Sequence, residues 1–142
     1  MITVRPIDAP ADLAAAFAIR EKVFVEEQQV PREDEYDAYE GTARHYLATA
    51  DGVPCGAARW RKTDKGVKLE RFAVLAPFRN QAVGSHLLRR VVADVKAAYP
   101  HETMYLHAQV PAMAFYARHG FEQVGEMFRE CDIAHYKMIL RA

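Results

Sequence analysis

The chain has 142 residues, 51% of them hydrophobic and 27% charged, which predicts one soluble globular domain with a sizeable core. Its 19 basic and 19 acidic residues give a formal net charge of zero, which argues against nucleic acid and anionic membranes as partners. No apolar run approaches the ~20 residues that span a bilayer, and the N-terminus has no signal-peptide pattern. We therefore expect a cytoplasmic protein in which Cys55 and Cys131 are buried free thiols, with a disulfide between them as the less favoured alternative.

The first quarter of the chain predicts a strand, a helix and an acidic segment. Residues 2–5 alternate and favour a strand. Asp8 can cap the helix that follows, and Pro10 suits its first turn. Arg20 shares the apolar face of this helix, either as a rim residue or as a substrate contact, and the rim position is the commoner one. Pro31 stops or restarts the helix ahead of an acidic run.

The middle of the chain predicts three consecutive antiparallel strands. Residues 43–50 and 53–61 flank Asp51-Gly52, a strong hairpin signal between two β-like runs. Residues 68–75 are nearly continuous in apolar side chains, as in a strand covered on both faces. That strand should end before Pro77, which cannot donate to a sheet ladder.

The second half predicts a crossover. Apolar residues recur at helical spacing from a start near Ala82 to an end near residues 99–100. Residues 104–108 form the next strand, and a strand–helix–strand unit implies a parallel pair with a right-handed crossover and a cleft where the two strands diverge. A short helix over residues 110–119 stops at Gly120. Two further strands follow, over residues 121–124 and 134–140.

The turn over residues 79–85, before the central helix, is the candidate anion site. Helix N-terminal N–H groups favour an anion, and small side chains let a phosphate approach the backbone. Ala82, Gly84 and Ser85 are small, and Arg79 adds a cation. We expect the helix start to give Ala82 a comfortable negative φ. By itself such a turn is more often a plain strand–helix connection.

Three segments carry a resemblance to a known family. The pattern Arg79-x-x-Ala82-x-Gly84 resembles the Arg/Gln-x-x-Gly-x-Gly/Ala loop of the GNAT acetyltransferase superfamily, which binds the pyrophosphate of acetyl-CoA, although Ala82 replaces the usual glycine. Residues 112–121 resemble the family segment Ala-x-x-Phe/Leu-Tyr-x-x-x-Gly-Phe. Residues 23–37, which include Val-Pro before an acidic run, and residues 125–138 resemble the small ElaA-like branch. The resemblance spans nearly the whole chain.

The resemblance implies an α/β (α+β) fold in a single domain over residues 1–142. Its sheet is mixed and mostly antiparallel with six to seven strands, helices on both faces, and a cleft between the two diverging parallel strands. The implied activity is acetyl-CoA-dependent transfer to a primary amine, with a small molecule favoured over a protein. The alternative is a non-catalytic CoA-binding or interaction module. A nucleotide-binding domain is disfavoured, because the chain lacks the glycine-rich motifs of those folds.

Carried over residue by residue, the resemblance assigns a cofactor site. The backbone of Phe72, Ala73 and Val74 would pair with the pantetheine arm as an added strand. The pyrophosphate would lie on the loop, which comprises Arg79, Asn80, Gln81, Ala82, Val83, Gly84 and Ser85. Tyr116 matches the family tyrosine beside the CoA sulfur, where it would hydrogen-bond the leaving thiolate.

Glu70 is the candidate base, because we predict it on the same strand face as Phe72 and Val74, and an alkylammonium of pKa about 10.4 must lose a proton before it attacks. A salt bridge of Glu70 with Arg71 or Lys68 is an equal alternative. The candidate substrate-side residues are Arg20, Glu27, Gln28, Glu33, Asp37, His107 and His135. The acidity of residues 20–40 favours a cationic amine. No metal site is expected, and the last strand could pair between two copies in a homodimer.

Overall fold

A seven-stranded sheet organises the computed structural model of the protein, which describes residues 1–141. The strands are β1 (Ile2–Pro6), β2 (Arg44–Ala50), β3 (Val53–Thr63), β4 (Gly66–Val74), β5 (Met104–Gln109), β6 (Glu122–Glu130) and β7 (Ile133–Leu140). The helices are α1 (Pro10–Arg20), continued by a π-helical segment (Glu21–Glu27), α2 (Arg32–Glu35), α3 (Val83–Ala98) and α4 (Met113–Arg118). Short 3₁₀ turns precede the loop at Ala76–Phe78 and α4 at Val110–Ala112.

The strand order is β1-β2-β3-β4-β5-β7-β6, and only the β4–β5 pair is parallel. This mixed, mostly antiparallel sheet confirms the predicted fold class. Because β6 doubles back outside β7, the last strand is paired on both sides and the sheet edges are β1 and β6. The prediction that the last strand pairs between two copies is therefore wrong.

Helices cover both faces of the sheet. On one face α3 packs its apolar side chains, Leu87 and Val91 among them, into the larger core. Gly56 of β3 permits this approach, since a Cβ there would lie 3.0 Å from side chains of Val83 and Leu87. On the other face α1 packs against the sheet in a smaller core that contains Ala16, Ile19, Val23, Leu47, Ala57 and Ala73.

Several local predictions need correction. Ala9, not Asp8, occupies the N-cap position of α1, and no side chain caps that helix start, although Pro10 lies in its first turn as expected. The strand predicted over residues 121–124 extends to Glu130, through an irregularity that includes Gly125 at φ +78°. Both cysteines are free, but Cys131 is exposed. Across residues 1–141, none of the helices has the length and apolarity needed to cross a membrane.

The cleft arises where β4 and β5 part. Their parallel pairing covers only Val67 with Met104 and Lys68 with Tyr105. Just beyond, β4 carries a bulge at Arg71, whose φ is +60°, and its register against β3 shifts by one residue. The extra residue reverses the alternation of side chains for the rest of β4.

Candidate active site

A cavity of about 340 Å³ occupies the gap between the diverging strands. The end of β4, strand β5, the β6–β7 hairpin and α2 form its walls. Its lining includes Gln28, Asp34, Glu70, Phe72, His107, Gln109, Tyr116, Glu130, Cys131 and His135. The cleft predicted from the crossover therefore exists, and it brings together residues from across the chain.

The predicted phosphate loop forms a second, adjoining pocket at the N-terminus of α3. Val74, Arg79, Asn80, Ala82, Val83, Gly84 and Ser85 line it, together with Phe115 and Arg118 from α4. Of the other predicted cofactor residues, Phe72 lines the first cavity, the side chain of Ala73 is buried in the smaller core, and the Gln81 amide donates to the Pro77 carbonyl at 3.2 Å. Both pockets thus border the end of β4, through Phe72 and Val74.

Ala82 adopts a left-handed conformation, with φ +66° and ψ +16°. The expectation of a negative φ is wrong, because Ala82 is the residue before the helix rather than its first helical residue. Asn80 also has a positive φ of +67°. The loop thus keeps a geometry that suits glycine while carrying an alanine, which places a strained residue at the anion site.

Arg79 links the loop to two neighbours. Its Nε donates to the Val74 carbonyl at 2.9 Å, and its guanidinium lies 3.0 Å from the Glu27 carboxylate. Glu27, predicted on the substrate side, therefore lies beside the loop instead. The Val74 carbonyl that Arg79 occupies is one of the backbone groups predicted to pair with pantetheine.

Tyr116 lies between the two pockets. Its ring meets that of Phe72 edge to face, with centroids 6.3 Å apart. Burial raises the pKa of its phenol, which makes Tyr116 a weaker proton donor but leaves it able to give a hydrogen bond. Among residues 1–141 no group hydrogen-bonds the Tyr116 hydroxyl, so the hydroxyl is available within the cavity that it lines.

Glu70 is held in a cluster of cations. Its carboxylate lies 2.7 Å from Arg59, 2.7 Å from Arg61 and 3.4 Å from Lys68. Burial acts to raise the pKa of Glu70, but the hydrogen bond from Arg61 and the charges of Arg59 and Lys68 outweigh it and hold the pKa below its ordinary value. Glu70 is therefore an ionised ion-pair partner and a poor proton acceptor.

The bulge also overturns the predicted face of Glu70. Leu69, Phe72 and Val74 all pack towards the α3 core, whereas Ala73 belongs to the opposite core and Glu70 pairs with Arg59. Glu70 and Phe72 lie on opposite faces of the sheet because Arg71 is inserted between them as the extra residue of β4. Of the two predicted salt-bridge partners of Glu70, Lys68 is present and Arg71 is not.

His107 of β5 and His135 of β7 both lie near the carboxylate of Glu130, on the wall of the cavity formed by β5 and the β6–β7 hairpin. His107 Nδ1 lies 3.3 Å from Glu130 Oε2, and His135 Nε2 lies 3.8 Å from Glu130 Oε1. The hydrogen bond with His107 is the main cause that lowers the pKa of Glu130. Near them Gln109 donates to Gln28 at 2.8 Å, and Gln28, a candidate substrate-side residue, lines the cavity.

Comparison with known proteins decides the family. The family model of the acetyltransferase (GNAT) domain matches residues 12–142. The chain belongs to the GNAT acetyltransferase family. YjcF of Bacillus subtilis, named an uncharacterized N-acetyltransferase, is 37% identical over 131 residues that cover 89% of this chain and 91% of that one.

Two crystal structures extend the likeness to this acetyltransferase over its whole length. Escherichia coli ElaA superposes with a TM-score of 0.88 at 28% identity, covering 98% of this chain and 99% of that one. An acyl-CoA N-acyltransferase from Pseudomonas aeruginosa gives a TM-score of 0.86 at 29% identity, covering 100% of this chain and 99% of that one. The resemblance to the small ElaA-like branch, and the prediction of an acyltransferase, are confirmed.

Acidic residues of the segment over residues 33–40 form ion pairs within the acetyltransferase. Arg20 is 1% exposed and is bonded to Glu35 and Glu40, both at 2.7 Å, so its prediction as a rim residue is wrong. Four of its five N–H donors are used within the protein. Asp37 lies 2.7 Å from Arg59 and 3.3 Å from Arg71. Burial acts to raise the pKa of Asp37, but the hydrogen bond and charge of Arg59 outweigh it and lower the pKa to about 2.

These ion pairs weaken the argument that an acidic segment selects a cationic amine. Glu35, Asp37 and Glu40 are all matched by arginines, and Glu33 is exposed outside the cavity lining. Asp34 alone among the acidic residues of α2 lines the cavity with a carboxylate that no arginine or lysine pairs within residues 1–141.

Several residues at the acetyltransferase site escaped sequence reasoning. Arg118 adds a second cation to the loop pocket, two residues after Tyr116, and that spacing was the only available signal. Glu130 and Gln109 reach the cavity through strand register, since Gln109 pairs with His135 across β5 and β7. Such register depends on which strands become neighbours, which a single sequence does not specify.

Proposed function

We propose that this acetyltransferase moves the acetyl group of acetyl-CoA to a primary amine of a small molecule, by direct attack of the amine on the thioester. One observation carries the proposal: the loop pocket and the acceptor cavity both border the end of β4, where Val74 lines one and Phe72 the other, with Tyr116 against Phe72. The likeness to the acyl-CoA N-acyltransferase of Pseudomonas aeruginosa supports an acyl-CoA donor.

The donor would bind across both pockets. Its pyrophosphate would lie on the loop, where the N–H groups at the start of α3 and the guanidinium groups of Arg79 and Arg118 supply positive charge. Its pantetheine arm would pair with the backbone of residues 72–74 as an added strand. Because Arg79 holds the Val74 carbonyl, donor binding requires Arg79 to turn from that carbonyl towards the phosphates.

The reaction then needs few protein groups. The neutral amine attacks the thioester carbonyl carbon, a C–N bond forms, the C–S bond breaks, and CoA leaves as a thiolate that takes up a proton. The Tyr116 hydroxyl would hydrogen-bond the sulfur as negative charge develops there. With its pKa raised by burial, Tyr116 stabilises the thiolate as a hydrogen-bond donor more readily than as an acid.

The cavity supports a small acceptor. Its volume of about 340 Å³ lies at the small end of the ligand sites known in proteins, which run from roughly 300 to 1,000 Å³. Four carboxylates, of Asp34, Glu35, Glu70 and Glu130, line the cavity with two cations, Lys68 and Arg71. This excess of carboxylates favours an acceptor that arrives as an ammonium ion. The matched charges of the acidic segment contribute little to that preference.

A thiol-release assay with acetyl-CoA and an amine panel tests the proposal. Tyr116→Phe should lower kcat roughly 10- to 100-fold, since it removes one hydrogen bond to a charged sulfur. Calorimetric affinity for acetyl-CoA should change little. Tyr99→Phe is the matched control, because Tyr99 packs against Trp60 away from both pockets and should leave turnover unchanged. Unchanged turnover in Tyr116→Phe would remove Tyr116 from the mechanism.

The alternative is a CoA-binding module without catalysis. The strained conformation of Ala82 and the ion pair that occupies the Glu70 carboxylate favour it. Binding of acetyl-CoA with no thiol release against the full amine panel would support this alternative. Failure to bind acetyl-CoA at all would contradict both functions.

A further inference from the structure

Acceptor deprotonation has no obvious agent on β4. Glu70 lines the cavity, but it is paired with three cations. On β5, Leu106 and Ala108 pack into the α3 core, so His107 and Gln109 lie on the same face of the sheet as Glu70, and both line the cavity.

His107 is arranged as a base with its second nitrogen anchored. An ionised carboxylate can only accept, so the 3.3 Å contact with Glu130 assigns the proton of neutral His107 to Nδ1. The lone pair then lies on Nε2, for which residues 1–141 supply no hydrogen-bond partner. The His107 side chain is 26% exposed and lines the cavity, so Nε2 is accessible to an acceptor.

Neighbouring rings fix the orientation of this pair. Phe128 meets His107 edge to face at 5.0 Å and stacks on His135 at 5.8 Å. His135 is 9% exposed and its Nδ1 donates to the Ile133 carbonyl at 2.7 Å. His135 thus has its Nδ1 engaged and is largely buried, while His107 is the more exposed of the two histidines that line the cavity.

We propose that His107 is the general base that deprotonates the acceptor ammonium, with Glu130 as the residue that orients it. The inference rests on the proposed function and names a residue for its first step. His107 Nε2 takes one proton from the ammonium and the free amine attacks the thioester. The second proton of the reacting nitrogen passes to the thiolate as the C–S bond breaks. His107 finally returns its proton to water.

The pH dependence of this step reflects every charge around His107. The charged and titratable groups on the neighbouring strands are Lys68 and Glu70 from β4, Tyr105 from β5, Glu130 from β6, and His135 and Lys137 from β7. The rest of the cavity lining adds Asp34, Glu35, Arg71, Tyr116 and Cys131. Glu130 is the one in direct contact. Removing its charge should therefore move the acid limb of the rate profile to lower pH, because an imidazolium loses a neighbouring anion.

The test compares His107→Gln, Glu130→Gln and His101→Gln with the wild-type protein, using acetyl-CoA and the best amine from the panel. His101 is exposed in the turn before β5 and serves as the control for loss of a histidine. Rates are measured from pH 6 to pH 10 with calorimetric acetyl-CoA affinity alongside. His107→Gln should lose about 10²- to 10⁴-fold in kcat/KM near pH 7 and keep its acetyl-CoA affinity. The difference in kcat/KM between His107→Gln and wild type should narrow as the pH rises towards the acceptor ammonium's own pKa of about 10.4, because a growing fraction of the amine is then already deprotonated in solution.

The outcomes separate this inference from the proposed function. If the wild-type protein binds acetyl-CoA and acetylates an amine, but His107→Gln matches it or loses activity equally at every pH, His107 is not the base. Should His107→Gln fail to fold, Glu130→Gln decides, since an acid limb that stays at the wild-type pH would overturn the assignment. A wild-type protein without any transfer would instead contradict the proposed function.

Discussion

Ala82→Gly should stabilise the protein, because Ala82 is the N-cap residue of α3, a position where glycine is preferred to alanine. A left-handed conformation costs an L-residue about 1–2 kcal/mol, and Ala82 holds φ +66°. Glycine removes that cost but gives the unfolded chain more freedom, which is worth about 0.4–1 kcal/mol in the opposite direction. Ala82 is exposed, so its methyl group contributes little packing that could be lost. The net expectation is a gain of about 0.5–1 kcal/mol in the free energy of unfolding.

The matched control is Ala93→Gly in the same helix. Ala93 is exposed in the interior of α3, where glycine costs about 1 kcal/mol relative to alanine. Urea denaturation of the two variants should therefore give changes of opposite sign. In thermal melts the two midpoints should differ by about 3–6 °C.

The result that would refute this reasoning is equal destabilisation by both substitutions. It would mean that residue 82 takes an ordinary right-handed helical conformation in solution. Acetyl-CoA affinity provides a second readout, because Ala82→Gly removes a methyl group beside the predicted phosphate and should bind at least as tightly as wild type. Weaker binding by Ala82→Gly than by Ala93→Gly would contradict the geometry of the loop.

Two further predictions concern the buried ion pairs. Arg59→Met should lower the free energy of unfolding in urea by about 3–5 kcal/mol, because it leaves three carboxylates without their shared cation. The control Arg5→Met removes an exposed ion pair and should cost under about 1 kcal/mol. Similar losses in the two variants would contradict the role of burial. Asp37→Asn should lower the free energy of unfolding by at most about 2 kcal/mol at pH 7, because the pKa of Asp37 falls from 3.8 to about 2 on folding. The ionised carboxylate stabilises the folded protein above pH 3.8, and this contribution disappears as the pH falls through about 2. Denaturant titrations of wild type and Asp37→Asn should therefore converge as the pH falls, and a constant gap would contradict that linkage. Burial raises the pKa of Glu35, so its own contribution to stability grows as the pH falls and is common to both proteins.

The parts of the fold that depend on local pattern were predictable. The helical period after Ala82 predicts α3, and the Asp51-Gly52 turn predicts the β2–β3 hairpin. The strand–helix–strand crossover predicts the parallel pair of β4 and β5. The loop residues line one pocket and Tyr116 lines the other, and each motif is contiguous in sequence and lies at the end of an element.

The features that were missed depend on contacts between distant segments. Arg59 meets Asp37 from 22 residues away, and no local signal shows that the acidic run will be matched by arginines from the sheet. The positive φ values of Arg71 and Ala82 were equally hidden, since neither residue type favours a left-handed conformation. Glu130 joined the site only through the register of β6, β7 and β5.

One of these hidden features decides which carboxylate can take part in the chemistry. Without the bulge at Arg71, strict alternation would keep Glu70 on the face of Phe72 and Val74, close to the reacting groups. With the bulge, Glu70 turns into the arginine cluster, and Arg71 reaches Glu35 and Asp37 of the acidic segment. Those ion pairs stabilise an arginine at a positive φ that would otherwise be costly. The acidic segment would therefore act on catalysis indirectly: its ion pairs with Arg71 hold the bulged strand in place, and the arginine cluster occupies Glu70, which is why we propose His107 as the base.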